Sequence, residues 1–406
     1  MARIVMKFGG TSVADVDRIR NAARRVAYEA EAGNEVAVVV SAMAGATNQL
    51  VGWTREMSVL HDACEYDAVV SSGEQVTVGL MALALQEMGR SARSWLGWQV
   101  PIRTDGVHGS ARIAGIDGSE IVRRFADGQI AVVAGFQGVG PDNRITTLGR
   151  GGSDTTAVAL AAALEADICD IYTDVDGVYT ADPRIVTGAR KIDKITYEEM
   201  LEMASQGAKV LQTRSVELAM NHRVRVQVRS SFSDAPGTLV VDEDEIVEKA
   251  VVSGITYTSD EAKVTLLNVA DRPGIAAAVF GPLADAAVNV DMIVQSASAD
   301  GSRTDMTFTC GRSDLPRVEE ILGRERQAIG YEQMAADADV TKVSVIGVGM
   351  RSHAGVAQQM FRALAERGIN IHAISTSEIK ISVLIAAEYT ELAVRTLHAA
   401  YGLDAA

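Results

Sequence analysis

Lysine, arginine and aspartate recur beside glycine turns in this chain, at spacings that point to chemistry on anionic groups. Lys7 opens Lys7-Phe-Gly-Gly-Thr-Ser12, while Arg150 and Asp154 sit in Leu148-Gly-Arg-Gly-Gly-Ser-Asp-Thr-Thr156. Each stretch follows an apolar, strand-like run and leads into a helical pattern. A glycine turn exposes backbone N–H groups, and a helix start behind it attracts anions. One such turn is common. Two of them, with two cations and a carboxylate, suggest a site for two anionic ligands and hence phosphoryl transfer.

The roles divide by residue type. Lys7 ends a strand just before Gly9 and Gly10, so its ammonium can reach a transferring phosphoryl group while glycine amides hold phosphate oxygens. A hairpin turn beside a surface lysine is the plain alternative. Arg150 offers a planar fork for a carboxylate, and such a charge-assisted bond is worth about 1.5–3 kcal/mol. Asp154 either caps the following helix with Ser153 or orients nearby lysines, and the two roles are compatible. A third segment, Tyr172-Thr-Asp-Val-Asp-Gly-Val-Tyr-Thr-Ala-Asp-Pro-Arg184, begins like a calcium loop. Its glycine is misplaced and Ile185 stands where the bidentate Glu belongs, so calcium is not expected. Asp174, Tyr179, Asp182 and Arg184 suit a loop that grips a nucleotide. Lys209, in Gly207-Ala-Lys-Val, either neutralises leaving phosphates or is an ordinary surface lysine. Ser41 to Thr47 ends a strand in small residues, and Ser71-Ser-Gly-Glu74 opens a helix. Glu74 against an ammonium, with Arg150 on a carboxylate, would select a zwitterionic acidic amino acid. Glu74 as a simple helix-start charge is the competing reading.

The elements that must carry these residues alternate. Strands are predicted at Ile4–Phe8, Val36–Ser41, Ile130–Phe136, Ile168–Thr173 and Val224–Ser230, all nearly continuous apolar runs as in a parallel sheet covered on both faces. Helices are predicted at Val16–Glu31, Glu74–Met88, Thr155–Glu165 and Tyr197–Ala204, with Asp15, Ser72 and Ser153 or Asp154 as N-caps. The first ~240 residues thus read as an α/β sandwich. Asp242-Glu-Asp-Glu245 reads as a surface connector. Beyond it lies a repeat: Lys263–Val269 returns as Lys342–Val348, Pro273-Gly274 as Ala354-Gly355, and Val288–Ile293 as Ile369–Ile374. Each copy reads as a compact β-α-β-β-α-β unit.

Bulk properties narrow the classes. At 406 residues the chain should hold two or three domains. A formal charge of −15 disfavours nucleic acid and anionic lipid as partners. Cys64, Cys169 and Cys310 are far apart, and neither they nor the scattered histidines show metal-ligand spacing, so no protein metal site is expected. No uninterrupted apolar run approaches ~18 residues and the first residues lack a secretion-type core, so a cytoplasmic location is expected.

The strings Lys7-Phe-Gly-Gly-Thr-Ser12, Val40-Ser-Ala-Met43, Ser72-Gly-Glu74, Thr147 to Ala157 and Tyr172 to Arg184, in this order, resemble the aspartate kinases of the amino-acid kinase superfamily. The resemblance covers essentially the whole chain and implies an α/β three-layer sandwich with a largely parallel sheet, followed by two ferredoxin-like α+β (ACT) units. It implies a catalytic domain over 1–245, a first ACT domain over 263–340, and a second built from 246–262 and 341–406. The implied reaction passes the γ-phosphoryl of MgATP to the side-chain carboxylate of L-aspartate, the entry step to lysine, threonine and methionine. By motif, Lys7, Asp154 and Lys209 are catalytic, and Lys7, Phe8, Gly9, Gly10, Thr173, Asp174, Tyr179, Asp182, Arg184 and Lys209 bind ATP, whose Mg2+ sits on phosphate oxygens and water with no protein ligand assigned. Ser41, Thr47, Glu74, Arg150, Gly151, Gly152, Ser153 and Asp154 then hold aspartate. The resemblance also implies feedback inhibition by lysine, threonine or both. The implied effector residues are Asp271, Gly274, Ile275, Ala276, Asn289, Gln295, Val356, Asn370, Ile371 and Ser375-Thr376-Ser377-Glu378. His353-Ala-Gly355 departs from the family's His-Pro-Gly. A homo-oligomer paired through ACT units, or a hetero-oligomer with a separate regulatory chain, is implied. A kinase of another acidic amino acid is the near rival, since one methylene discriminates by only ~1–3 kcal/mol; a non-catalytic amino-acid sensor is the other.

Overall fold

A computed structural model describes residues 1–246, 250–297, 302–353 and 355–404; Ala354 of the repeat therefore lies outside the described residues. The chain divides into two compact units. Unit 1 comprises Met1–Val178, Lys191–Ser205 and Lys209–Glu248, and unit 2 comprises Tyr179–Arg190, Gln206–Ala208 and Lys249–Ala406.

Unit 1 begins β1 (Arg3–Phe8), α1 (Val16–Glu31), β2 (Glu35–Val40), α2 (Ala46–Met57), α3 (Ala63–Val70) and α4 (Ser72–Glu87). It continues β3 (Ala92–Trp95), β4 (Ile102–Thr104), β5 (Ile113–Ile116), α5 (Ser119–Phe125), β6 (Ile130–Ala134), β7 (Gln137–Val139) and β8 (Ile145–Thr147). It closes with α6 (Gly152–Ala163), β9 (Ile168–Thr173), β10 (Lys194–Thr196), α7 (Tyr197–Ser205), α8 (Thr213–His222), β11 (Val226–Ser230) and β12 (Thr238–Val241). Eight strands form one sheet in the order β10-β12-β11-β9-β1-β2-β6-β3, parallel throughout except for the β11–β12 pair.

Alternation along β1 sets the layers. Ile4, Met6 and Phe8 share one core with Ile19, Ala23 and Val26 of α1 and Val78, Met81 and Leu85 of α4. Lys7, on the opposite face, is left toward α6. The result is a three-layer sandwich. A separate four-stranded sheet, β5-β4-β7-β8, had no counterpart in the sequence reading because its strands are three or four residues long.

Two predicted caps need correcting. Asp15 does cap α1, accepting from Arg18 N at 2.8 Å. Ser72, however, lies inside helical backbone that continues from α3, and its hydroxyl donates to Val69 O at 2.7 Å. Helix α6 starts at Gly152 behind Gly151 (φ +72), so neither Ser153 nor Asp154 is its cap. The predicted strand Ile130–Phe136 stops at Ala134, and Phe136 adopts φ +69. Among the described residues Ala63–Glu87 is the one helical run long and apolar enough to cross a membrane; half of it is buried in the protein, where it carries the buried Asp67 and Glu74.

Unit 2 contains β13 (Gly254–Ala270), α9 (Ile275–Asp285), β14 (Val290–Ala297), β15 (Arg303–Cys310), α10 (Leu315–Arg324), α11 (Arg326–Ile329) and β16 (Gln333–Ile346). It ends with α12 (Val356–Glu366), β17 (Ala373–Thr376), β18 (Lys380–Ala386) and α13 (Thr390–Ala400). The sheet order β14-β15-β13-β16-β18-β17 reads the same from either edge once the two copies are exchanged. Gly254–Thr258 of β13 pairs with Lys342–Ile346, and Ile255 shares a core with Val343, Val345 and Leu397. The far half of β13 pairs with β15, and Val264 and Leu266 lie in a second core with Phe308 and Leu322.

Leu85 is fully buried between α1 and the sheet. Leu85→Ala should lower unfolding free energy by ~2–5 kcal/mol in urea titrations, without a change in substrate Michaelis constants.

Candidate active site

Parallel strands that lie side by side deliver their carboxyl ends to one edge, where α/β sheets bind ligands. The edge above β1 and β2 holds a cleft of about 300 Å3. Lys7 and Gly10 line it from β1; Ser41 to Gly45 and Thr47 line it from the turn after β2; Glu74 comes from α4. Phe136 and Gly149 to Asp154 complete the wall. Of the residues expected to act together, the structure therefore brings Lys7, Gly10, Ser41, Thr47, Glu74, Arg150, Gly151, Gly152, Ser153 and Asp154 to one cavity.

The loop before α6 is shaped by close approach. A Cβ on Gly151 would lie 2.0 Å from Gln212 Cγ, and its left-handed φ already disfavours a side chain. Behind the loop, buried Asp67 accepts from Thr147 N (3.0 Å), Gly109 N (3.1 Å) and Thr147 Oγ1, and pairs with His108 Nδ1 at 2.8 Å. Arg214 donates to Leu148 O at 2.9 Å and to Ala111 O at 2.7 Å. Both side chains pin the backbone that presents Arg150. Neither was singled out from sequence, since nothing local marks a helix carboxylate as the partner of a loop 80 residues on.

Lys7 Nζ lies 2.5 Å from Asp154 Oδ1, and each residue is 8% exposed. A Cβ on Gly9 would stand 3.3 Å from the same ammonium, and one on Gly10 3.1 Å from Ala42 O. Gly9 keeps the space beside the cation open, and Gly10 lets the chain pass close to the turn after β2. The Gly9 N–H itself donates to Tyr172 O at 3.2 Å, so the expectation that this amide serves a ligand oxygen does not fit; β1 is closed on β9 there. Glu74 is 3% exposed. Its Oε1 accepts from Ala42 N at 3.0 Å, while Oε2 is buried without a partner among the described residues. A carboxylate oxygen so placed is a receptor for a cationic group.

Phe136 was missed as a cleft residue, whereas Met43-Ala-Gly45 lies within the Ser41 to Thr47 turn that the sequence singled out. The signal was Gly135, the glycine that ends the apolar run: a Cβ there would stand 2.7 Å from Ser153 Oγ, and the next residue, Phe136, adopts φ +69.

The remaining expected residues lie elsewhere. Lys209 is exposed and outside the cleft lining. Thr173 and Asp174 end β9, with the Thr173 hydroxyl donating to Asp174 at 3.1 Å. Tyr179, Asp182 and Arg184 belong to unit 2, where Arg184 binds Asp182 (Nη2–Oδ2, 2.7 Å). Also in unit 2, Gly274 (φ +89) precedes Ile275 and Ala276 of α9, and Gly355 (φ +101) precedes Val356 of α12. Asp271 is exposed just before that first turn. Asn289 and Gln295 flank or lie on β14, Asn370 and Ile371 precede β17, and Ser375 to Glu378 run through its end, where Glu378 lies 3.4 Å from Arg351. A bulge at Asp291 lets Met292 pack with Val340, Leu384 and Ala373, which joins the two edge strands in one small cluster.

Comparison with known proteins follows the same division. Residues 2–230 match the amino acid kinase family, and residues 263–327 and 343–401 each match an ACT domain. An aspartokinase of Pseudomonas aeruginosa is 54% identical over 100% of this chain and 98% of its own length. One from Mycolicibacterium smegmatis is 50% identical over 99% and 97%. The crystal structure of E. coli aspartokinase III with aspartate and ADP (R-state) superposes with a TM-score of 0.82 at 28% identity, covering 98% of this chain and 99% of that one. The same enzyme with lysine and aspartate (T-state) gives 0.76 at 28% identity, covering 98% of each.

Burial pushes the Glu74 carboxyl up from 4.5 to about 7, against the smaller opposing effect of the Ala42 amide. Protonation therefore favours the folded state at acid pH, and this contribution disappears as pH rises through about 7. The ionised form then costs about 3 kcal/mol in the ligand-free protein. Glu74→Gln removes the titration. Its stability relative to the parent should rise by about that amount between acid and neutral pH, read by urea titration; a flat difference would mean that Oε2 is paired.

Proposed function

The chain belongs to the aspartokinases of the amino acid kinase family, and on that premise we propose that the γ-phosphoryl group of MgATP passes to the side-chain carboxylate of L-aspartate in the unit 1 cleft. One observation carries the reading: the same cavity holds a rigid ammonium, Lys7 on Asp154, and a buried carboxylate oxygen of Glu74 that lacks a cation. A volume of about 300 Å3 sits at the lower end of small-molecule sites, ~300–1,000 Å3, which suits the amino acid and the reacting phosphate.

Glu74 holds the substrate ammonium and Arg150 its α-carboxylate, with Ser41, Thr47, Gly151, Gly152 and Ser153 completing the aspartate site. The side-chain carboxylate is thereby turned toward Lys7. That acceptor is already ionised at neutral pH, with an ordinary value near 3.9, so no general base is required. The work of the protein is positioning and charge neutralisation. Lys7 is held for this by Asp154, which also prevents its ammonium from wandering among rotamers. Lys209 neutralises the leaving phosphates, and Phe8, Gly9, Gly10, Thr173, Asp174, Tyr179, Asp182 and Arg184 form the nucleotide side. The open space beside Lys7, which any side chain at Gly9 would narrow, fits phosphate oxygens. Mg2+ would shield β- and γ-phosphate oxygens.

Regulation follows the same premise. Lysine, threonine or both are the inhibitors; the E. coli relative bound to lysine and aspartate in its T-state supports lysine as an effector. Asp271, beside the Gly274 turn, receives a lysine ammonium; Ile275, Ala276, Val356 and Ser375 to Glu378 surround it, and Asn289, Gln295, Asn370 and Ile371 receive threonine. Effectors must favour an inactive arrangement, since equal affinity for both states shifts nothing. The domain division is 1–245, 263–340, and 246–262 with 341–406. The assembly is a homo-oligomer through ACT units or a hetero-oligomer with a regulatory chain, in the cytoplasm.

With ATP and hydroxylamine, aspartate should yield an acyl hydroxamate and glutamate should not; a product from glutamate, or none from either, overturns the assignment. Lys7→Ala and Asp154→Ala should each lower turnover by ~10²–10³ at temperatures where both variants stay folded, with a lower melting temperature because each leaves the other's charge buried without its partner. Asp271→Ala should shift the lysine inhibition curve to higher concentration while basal turnover stays intact, as measured by initial rates across a lysine series.

A further inference from the structure

Segment Tyr179–Arg190 is packed in unit 2 through Ala181 and Val186, and its polar fastening gathers on one residue, Thr180. Thr180 N–H donates to Arg190 O (2.9 Å), Arg190 N–H donates to Thr180 Oγ1 (2.9 Å), and Thr180 O accepts from Ile255 N–H (2.8 Å). The other bond of the Thr180 hydroxyl runs 2.9 Å to His398 Nε2 of α13, and His398 Nδ1 lies 3.2 Å from Asp404 Oδ1. Ala189 forms an isolated antiparallel bridge with Asp404, and a Cβ on Gly188 would stand 2.8 Å from Asp404 Oδ1.

The hydroxyl, imidazole and carboxylate sit in the order of a nucleophilic triad, but access forbids that chemistry. His398 is 0% exposed and Thr180 3%. A holding role accounts for every proton instead. Asp404 can only accept, so Nδ1 carries the hydrogen. Burial draws the imidazole below its usual range, against the pull of Asp404 and with a smaller push from Arg190, so the ring is neutral and Nε2 accepts. The Thr180 hydroxyl donates to Nε2 and accepts from Arg190. No polar group is left over. Tyr179 precedes this clamped residue directly, and Asp182 and Arg184 follow it by one turn of chain.

We propose that His398 and Asp404 are positioning residues for the nucleotide: acting through Thr180, they hold the backbone that carries Tyr179, Asp182 and Arg184. This rests on the assignment of those three residues to the nucleotide side. Helix α13, remote in sequence from every phosphate-binding motif, thereby sets ATP affinity.

The test is a split between the two substrates in the full-length enzyme. Thr180→Val, which keeps shape and loses the hydroxyl, and His398→Ala should each raise the ATP Michaelis constant about 3- to 10-fold. Turnover and the aspartate constant should change by less than about twofold, and Thr180→Ser should behave like the parent. The double variant should be no worse than the worse single one, because both changes break the same bond. An unchanged ATP constant in both single variants, an equal rise for both substrates, or multiplicative effects in the double variant would each overturn the clamp. Asp182→Asn and Arg184→Ala separate the two levels. If they leave the ATP constant unchanged, the nucleotide assignment itself falls; if they raise it while Thr180→Val and His398→Ala do not, only the clamp falls.

Discussion

A cation at the end of a buried strand must meet its counter-charge on whatever element covers that face, and much of unit 1 is arranged around this requirement. Lys7 points away from the α1 and α4 core because Ile4, Met6 and Phe8 occupy that side. The first turn of α6 therefore has to place Asp154 within 2.5 Å of it. Removing either partner would strand the other in a poorly hydrated site, which is the costly way to disturb a buried pair. To bring Asp154 so close, α6 is built of small residues and is buried along most of its length, and the chain enters it through two left-handed glycines at 149 and 151. Asp67 and Arg214 brace that entry from behind. Arg150 is thus placed by residues that never reach the cleft.

Periodicity made the covered parallel strands and α1 legible, with α1 matching its predicted limits residue for residue. It could not resolve helix starts governed by tertiary contacts. Asp154 looks like a cap from its position, yet its carboxylate is committed to Lys7 and the helix begins behind Gly151. Nor could it reveal the short second sheet, whose strands are too brief to show a period. In the cleft, charged residues beside glycines were easy to single out because few other roles suit them. Phe136 was invisible for the opposite reason: an aromatic at the end of an apolar run reads as core. Its place in the wall shows only in the fold, where β6 stops at Ala134 and Phe136 takes a left-handed backbone.

The repeat in unit 2 was readable as paired strings, but its meaning lies in pairing geometry. Exchanging the copies maps one half of the sheet on the other. Where the halves meet, Lys342 is buried between Glu261 (2.6 Å) and Asp291 (2.7 Å), and their carboxylates hold its charge on despite burial. Asp291 belongs to the bulge that sends Met292 across to β17's Ala373. Charge and apolar contact thus pin the same kink.

Strand β13 serves as a common girder: its first half floors one oily compartment and its second half the other, with no interruption in the main chain. Fraying either compartment would strip hydrogen-bond partners from the ribbon that roofs its neighbour. Duplication here has yielded a pair that cannot come apart piecemeal, so in a calorimeter the two halves should melt as one cooperative block.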